Sequence, residues 1–174
     1  MTAVISDDPS WDQIQIYYLQ LRGRLVVRLF YLLRSRHDAE DVAQEAFIRA
    51  ARNWHALRRT DSKTVEAWLN KIAANLAMDM LRQRKQRREV MLDDSDAVRE
   101  FISARVAPEL AYEVSSAMDM LDRLSDRQRH VYLLRHYFGF KVAAIARHLD
   151  IDAGTARTHL HRAQKTINTL TSRC

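Results

Sequence analysis

Three groups of polar residues could do chemistry in this 174-residue chain. Near the C-terminus, Thr155, Arg157, Thr158, His159, His161 and Arg162 crowd into one short stretch. Their hydroxyls and imidazoles can hydrogen-bond bases or phosphates, and their guanidinium groups can take phosphate or guanine. In the middle, Arg58, Arg59, Thr60 and Ser62 form a polar stretch without periodicity, followed by Trp68, Lys71, Asn75 and Arg82 at helical spacing and a basic run to Arg88. Cations beside an aromatic suit a nucleic-acid strand. The plainer alternative buries most of the Trp68 ring with Val65, Leu69 and Ile72. Nearer the N-terminus come Asp38, Asp41, Gln44 and Glu45. Acids at a helix start complement its dipole for about 0.3–1 kcal/mol each. Asp41, Gln44 and Glu45 also sit at i, i+3 and i+4, which makes one polar face suited to a basic partner helix.

These groups point to binding rather than catalysis. The sequence has no nucleophile elbow, no metal-ligand spacing and no glycine-rich phosphate loop, so no enzyme activity and no cofactor are expected. His148, His159 and His161 do not suggest a metal, since His159 and His161 are two apart and diverge on a helix. The single Cys174 excludes an internal disulfide.

The elements that must carry these residues are helices. Gly 3 and Pro 2 together make up about 3% of the chain against roughly 12% on average, too few for a hairpin-rich or barrel fold. The expected fold class is all-α, as two small helical domains joined by a flexible linker. Ile14, Tyr18, Leu21, Leu25, Leu29 and Leu32 form one stripe and predict a helix over 11–36. Asp38 reads as the N-cap of a second helix that buries Ala39, Val42, Ala43, Ala46, Phe47, Ala50 and Trp54. Val65, Trp68, Leu69, Ile72, Ala73, Leu76 and Met80 predict a third helix over 64–88. Domain bounds are expected at 10–88 and 116–172, with 89–115 as the linker around Pro108. No secretory signal or membrane span is read from the sequence, and a cytoplasmic setting is expected.

The second lobe is punctuated by a Ser125/Gln128 capping box and by Gly139 as a helix stop. Val142, Ile145, Ala146 and Leu149 predict a short helix, Asp150-Ile151-Asp152 a tight turn, and Ala153 to Ile167 a last helix. Two helices joined by a three-residue turn make a helix-turn-helix, in which Ala146 allows a close crossing and Ile151 plugs the wedge. The outward residues of its second helix are the 155–162 group. An ordinary αα-hairpin with a solvated face is the plain alternative. The net charge of +6 and pI near 9.8 agree with a polyanion partner without requiring one.

The residues Asp38-Ala39-Glu40-Asp41-Val42-Ala43-Gln44-Glu45-Ala46-Phe47 resemble the core-polymerase-binding segment, region 2.2, of bacterial sigma factors. Ala67 to Arg82 resembles their −10-binding helix. Leu124-Ser125, Ile145-Ala146 and Gly154 to Ala163 resemble the −35-reading helix-turn-helix of region 4. The short length is similar to the extracytoplasmic-function (ECF, group IV) class of the sigma-70 family, and the wording of 38–45 resembles its iron- and siderophore-uptake branch. The resemblance implies that Asp38, Asp41, Gln44 and Glu45 contact core RNA polymerase, at the coiled coil of the largest subunit, with the β flap as a further contact. It implies that Arg58, Arg59, Thr60 and Ser62 capture a base flipped from the −10 element, and that Trp68, Lys71, Asn75 and Arg82 hold its strand. Thr155, Arg157, Thr158, His159, His161 and Arg162 would face −35 duplex. The implied partners are core polymerase, promoter DNA and a membrane-anchored anti-sigma factor, with a monomeric free chain. Ala156 and His159 stand where the family often has Val and a basic residue, which bears on the promoter sequence read. A conventional LuxR-type helix-turn-helix regulator is the competing expectation, and it would bind a palindromic duplex as a dimer.

Overall fold

The computed structural model describes residues 9–58, 60–87, 117 and 119–172. Every regular element among them is helical: α1 (Pro9–Leu33), α2 (Arg36–Arg52), a 3-10 turn (Trp54–Ala56), α3 (Ser62–Arg87), α4 (Asp126–His136), α5 (Val142–Leu149) and α6 (Ala153–Thr171). The expected linker 89–115, and Arg59 and Met118, lie outside the described residues.

The first lobe is α1, α2 and α3 packed around one core. Leu25, Leu29, Leu32 and Leu33 of α1 are fully buried. They share one core with a set of small buried residues, Ala39, Ala43, Ala46 and Ala50 on α2 and Ala73, Ala74 and Ala77 on α3. Alanine lets helix backbones approach closely, and each buried leucine contributes about 1.5–3 kcal/mol.

Several boundaries differ from expectation; α1 begins at Pro9 and α3 at Ser62, each two residues early. α1 ends at Leu33, short of the expected 36, because Arg34 takes the left-handed conformation (φ 52) and its N–H returns to the Phe30 carbonyl at 2.7 Å. That is a helix stop of the kind glycine usually supplies. Asp38 is not the N-cap of α2. Ser35 takes that position in extended conformation, and its side chain accepts from the Asp38 N–H. Asp38 thus falls in the first turn and pairs with Arg84 of α3.

In the second lobe the Ser125/Gln128 capping box forms as expected. α4 ends at His136, three residues before Gly139, which takes φ 73 in the following turn. Phe138, beyond the helix, is buried with Leu133 and Leu134. α5 and α6 pack across α4, burying Ile145, Leu149, Ala156 and Ala163.

The two lobes touch. The last carbonyls of a helix lack intrahelical partners, and α1 has three of them capped in succession. Arg129 Nε donates to Tyr31 O at 3.2 Å, His130 Nε2 lies 3.1 Å from Leu32 O, and Arg84 Nη1 donates to Leu33 O at 3.0 Å. The first two caps come from α4 in the other lobe. Arg34 adds an ion pair to Asp122 at 2.6 Å. Farther along the seam, Asn70 Nδ2 donates to Tyr137 O at 3.4 Å, and Arg28 lies over the Tyr137 ring.

Candidate nucleic-acid and partner interfaces

The helix-turn-helix is built as its sequence predicts. Asp150 turns the chain in the left-handed region (φ 54), and the Ile151 N–H returns to Ala146 O at 3.0 Å. Ile151 is half-buried against the core, and Ala146 is buried at the crossing. Asp152 caps α6: its carboxylate accepts from the Thr155 N–H at 2.9 Å and from the Thr155 hydroxyl. Those bonds, the hydroxyl first, hold the Asp152 carboxyl below its ordinary value.

The six residues proposed to face duplex DNA therefore divide. Arg157, His161 and Arg162 are exposed. Thr155 is engaged with the cap, and the Thr158 hydroxyl donates to Gly154 O at 3.0 Å. His159 is half-buried, with its Nδ1 buried and unpartnered. The outward chemistry is cationic and imidazole, and the threonines chiefly order the helix start.

On α3, Trp68, Lys71, Asn75 and Arg82 follow one another along the helix. Lys71, Asn75 and Arg82 are exposed, and Trp68 is half-buried with its edge against Trp54, centroids 6.5 Å apart. Arg82 pairs with Asp79 at 2.9 Å and meets His148 Nδ1 of α5 at 3.1 Å. The face offered to a strand on α3 therefore borders the other lobe. A cleft of about 700 Å³ opens there, floored by Met78, Leu81 and Leu149 and rimmed by Arg82, Arg127 and Arg147. Burial and then the Arg82 charge push the His148 pKa down, against Asp79.

The loop before α3 carries Arg58 and Thr60 on the surface, whereas Ser62, expected in that loop, is the exposed first residue of α3 itself. Asp61 caps α3, accepting from the Thr64 N–H at 3.1 Å and its hydroxyl at 2.7 Å.

On α2, Asp41 and Gln44 are exposed, and Glu45 is half-exposed and paired with Arg49 at 2.6 Å. His37 approaches Asp41 at 3.3 Å. Asp38 does not share this surface, because its pairing with Arg84 turns it inward toward α3. The open polar face is Asp41 with Gln44, flanked by Glu45.

Several residues were not singled out from the sequence, namely Tyr17, Arg28, Asn70, Arg129 and His130. Asn70 carried a signal. It shares the buried register of Ala73, Ala74 and Ala77 and is itself buried, its Oδ1 accepting from Arg28 at 3.2 Å. A polar residue on a buried stripe implies a built-in partner.

A helical pair of lobes, one with a helix-turn-helix and one with a cationic helix face, defines a DNA-binding class. The family profile for Sigma-70 region 2 matches residues 17–87, and that for Sigma-70, region 4 matches residues 115–167. The chain is 32% identical over 146 residues to ECF RNA polymerase sigma factor SigL of Mycobacterium tuberculosis, covering 79% of this chain and 78% of that one. It is 29% identical over 171 residues to SigW of Bacillus subtilis, covering 92% and 87%. It is 32% identical over 165 residues to SigE of Mycolicibacterium smegmatis, where 91% of this chain spans only 60% of the relative. The fold is similar to the sigma factor RpoE crystallised with the anti-sigma factor NepR from Bartonella quintana. The TM-score is 0.55 at 19% identity, covering 91% of this chain and 96% of that one. The chain belongs to the ECF RNA polymerase sigma factor family of sigma-70 proteins.

Proposed function

We propose that this chain is a promoter-specificity subunit. It binds core RNA polymerase through Asp41, Gln44 and Glu45, reads a −35 element as duplex through Arg157, His161 and Arg162, and holds the opened −10 strand along Lys71, Asn75 and Arg82. The observation that carries this reading is the presence of two separate exposed cationic faces, on α3 and α6, together with an acidic face on α2. Phosphate contacts supply affinity at −35, and base contacts set the register. At −10 a base must leave the stack at a cost of a few kcal/mol, returned by a shaped pocket. The polymerase supplies the scaffold for that step, so the isolated chain binds DNA weakly and with strong salt dependence.

The partners are core polymerase and promoter DNA, and the site of action is the cytoplasm. An anti-sigma factor anchored in the membrane fits the same reading, as a partner that occludes these faces until a signal releases them. The wording of Asp38 to Glu45 supports an iron- and siderophore-uptake regulon. Transcription in vitro with core polymerase and a genomic promoter library tests the whole reading. Promoter-specific starts that depend on the chain support it. Dimeric binding to a palindrome without polymerase would establish a conventional regulator instead. Starts confined to genes outside iron uptake would remove that regulon.

A further inference from the structure

Tyr17 of α1 touches both ends of the segment that leads from the 3-10 turn to α3. Its ring packs on Trp54 with centroids 5.7 Å apart, and its hydroxyl donates to Thr60 O at 2.5 Å. Arg58 lies between those two holds. Trp54 is itself anchored: it is buried, and its Nε1 donates to Gln13 Oε1 at 2.7 Å. Beyond Thr60 the chain is pinned by the Asp61 cap. One side chain from a helix that carries none of the proposed DNA contacts therefore closes the loop that presents Arg58 and Thr60.

We propose that Tyr17 is a positioning residue for −10 recognition: by holding Trp54 and Thr60 together it fixes where Arg58 and Thr60 meet an extruded base. The proposal rests on the −10 role given to this loop above. A loop ordered only when the strand arrives subtracts its ordering from the binding free energy. A loop ordered beforehand presents the same groups without that loss. It also discriminates better between bases, because the pocket cannot reshape itself around the wrong one.

Tyr17→Phe in the full chain removes the hydroxyl and keeps the ring on Trp54. In the free protein, amide hydrogen exchange across residues 55–61 is expected to quicken about fivefold, the effect of one lost hydrogen bond. In transcription with core polymerase from promoters randomised at −10, discrimination between the best and second-best bases is expected to fall about fivefold, with −35 preference and core affinity unchanged. Tyr17→Leu, which also removes the stacking, should widen −10 preference further. Unchanged exchange in Tyr17→Phe overturns the clasp. Faster exchange with unaltered −10 preference shows a purely structural tether and overturns the positioning role. If the wild-type chain directs no promoter-specific starts, the proposed function falls and the −10 role with it, while the exchange data still decide whether the clasp exists.

Discussion

The Nε of Arg129 donates to the carbonyl of Tyr31 at 3.2 Å, across 98 residues of sequence. The guanidinium is buried, and its Nη2 pairs with Asp126 at 2.6 Å. Burial and then the Arg34 charge push the Arg129 pKa down, and Asp126 opposes them. The Tyr31 hydroxyl is buried at the same seam without a hydrogen-bond partner. The two lobes thus meet through a polar junction, and such a junction is sensitive to the loss of any one partner.

Arg129→Ala should lower stability to urea by about 2–3 kcal/mol, since it strips a charged donor from a buried carbonyl. Asp122→Arg is gentler, because Asp122 lies at the surface; it reverses the pairing with Arg34 and removes a charge that favours the Arg129 cation. That variant should keep the helical content of both lobes and enlarge the radius of gyration measured by small-angle X-ray scattering. A charge-swapped Arg34→Asp/Asp122→Arg double variant should restore the compact value.

The seam should weaken in acid. His130 is pushed down to about 4, by burial first and then by the Arg129 charge, with Arg127 adding and Asp126 and the Leu32 carbonyl opposing. Its folded pKa thus lies below the unfolded value near 6.5, so the unfolded chain takes up a proton that the folded chain refuses. Stability is full above about pH 6.5 and declines as the pH falls toward 4. The lowering from 6.5 to about 4 sets the loss at about 3 kcal/mol at most. Burial of His148 acts in the same direction. Urea midpoints between pH 7.5 and 4 should fall steeply for wild type and less steeply for His130→Gln.

Ser125→Ala removes half of the capping box and should cost about 1 kcal/mol. Gly139→Ala meets no steric obstacle, since nothing lies within 4 Å of the added carbon, but it places a side chain at φ 73. That should cost about 1 kcal/mol. Thermal melts of the two variants should show similar losses from different causes, one a lost hydrogen bond and the other backbone strain.

Asp41→Ala with Gln44→Ala should abolish co-purification with core polymerase and leave the melting curve unchanged, because both side chains are exposed. Arg157→Ala or Arg162→Ala should weaken −35 binding by about 1–3 kcal/mol where the contact is to a base, or reduce the salt slope by about one where it is to phosphate. An unaltered −35 footprint in both variants would reassign the reading surface away from this part of α6.

Local signals in the sequence were enough for most of the helices and for the helix-turn-helix. The 3.6-residue stripes over Ile14 to Leu32 and Val65 to Met80 predict α1 and α3, and Ser125 with Gln128 marks the start of α4, because periodicity and capping act within a few residues. Helix ends were less legible. Arg34 stops α1 in a conformation usually left to glycine, and Ser35 takes the cap that Asp38 resembled. Asp38 was instead drawn to Arg84 on another helix.

The candidate faces were legible as residue types and only partly as surfaces. Thr155 belongs to the stretch that reads as DNA-facing, yet its N–H and hydroxyl close the Asp152 cap. Helical spacing shows which residues share a side, and it does not show which of them spend their hydrogen bonds at home.

By itself the sequence determined the helical class, the two lobes' local architecture and the polar groups they display, since these follow from short-range pattern and composition. The tertiary structure alone decided that Arg129 and His130 cap a helix in the other lobe, that Arg82 borders His148, and that Tyr17 holds Thr60. Those relationships join residues far apart in the chain, and each depends on unsatisfied carbonyls and partners that meet only after the helices have packed.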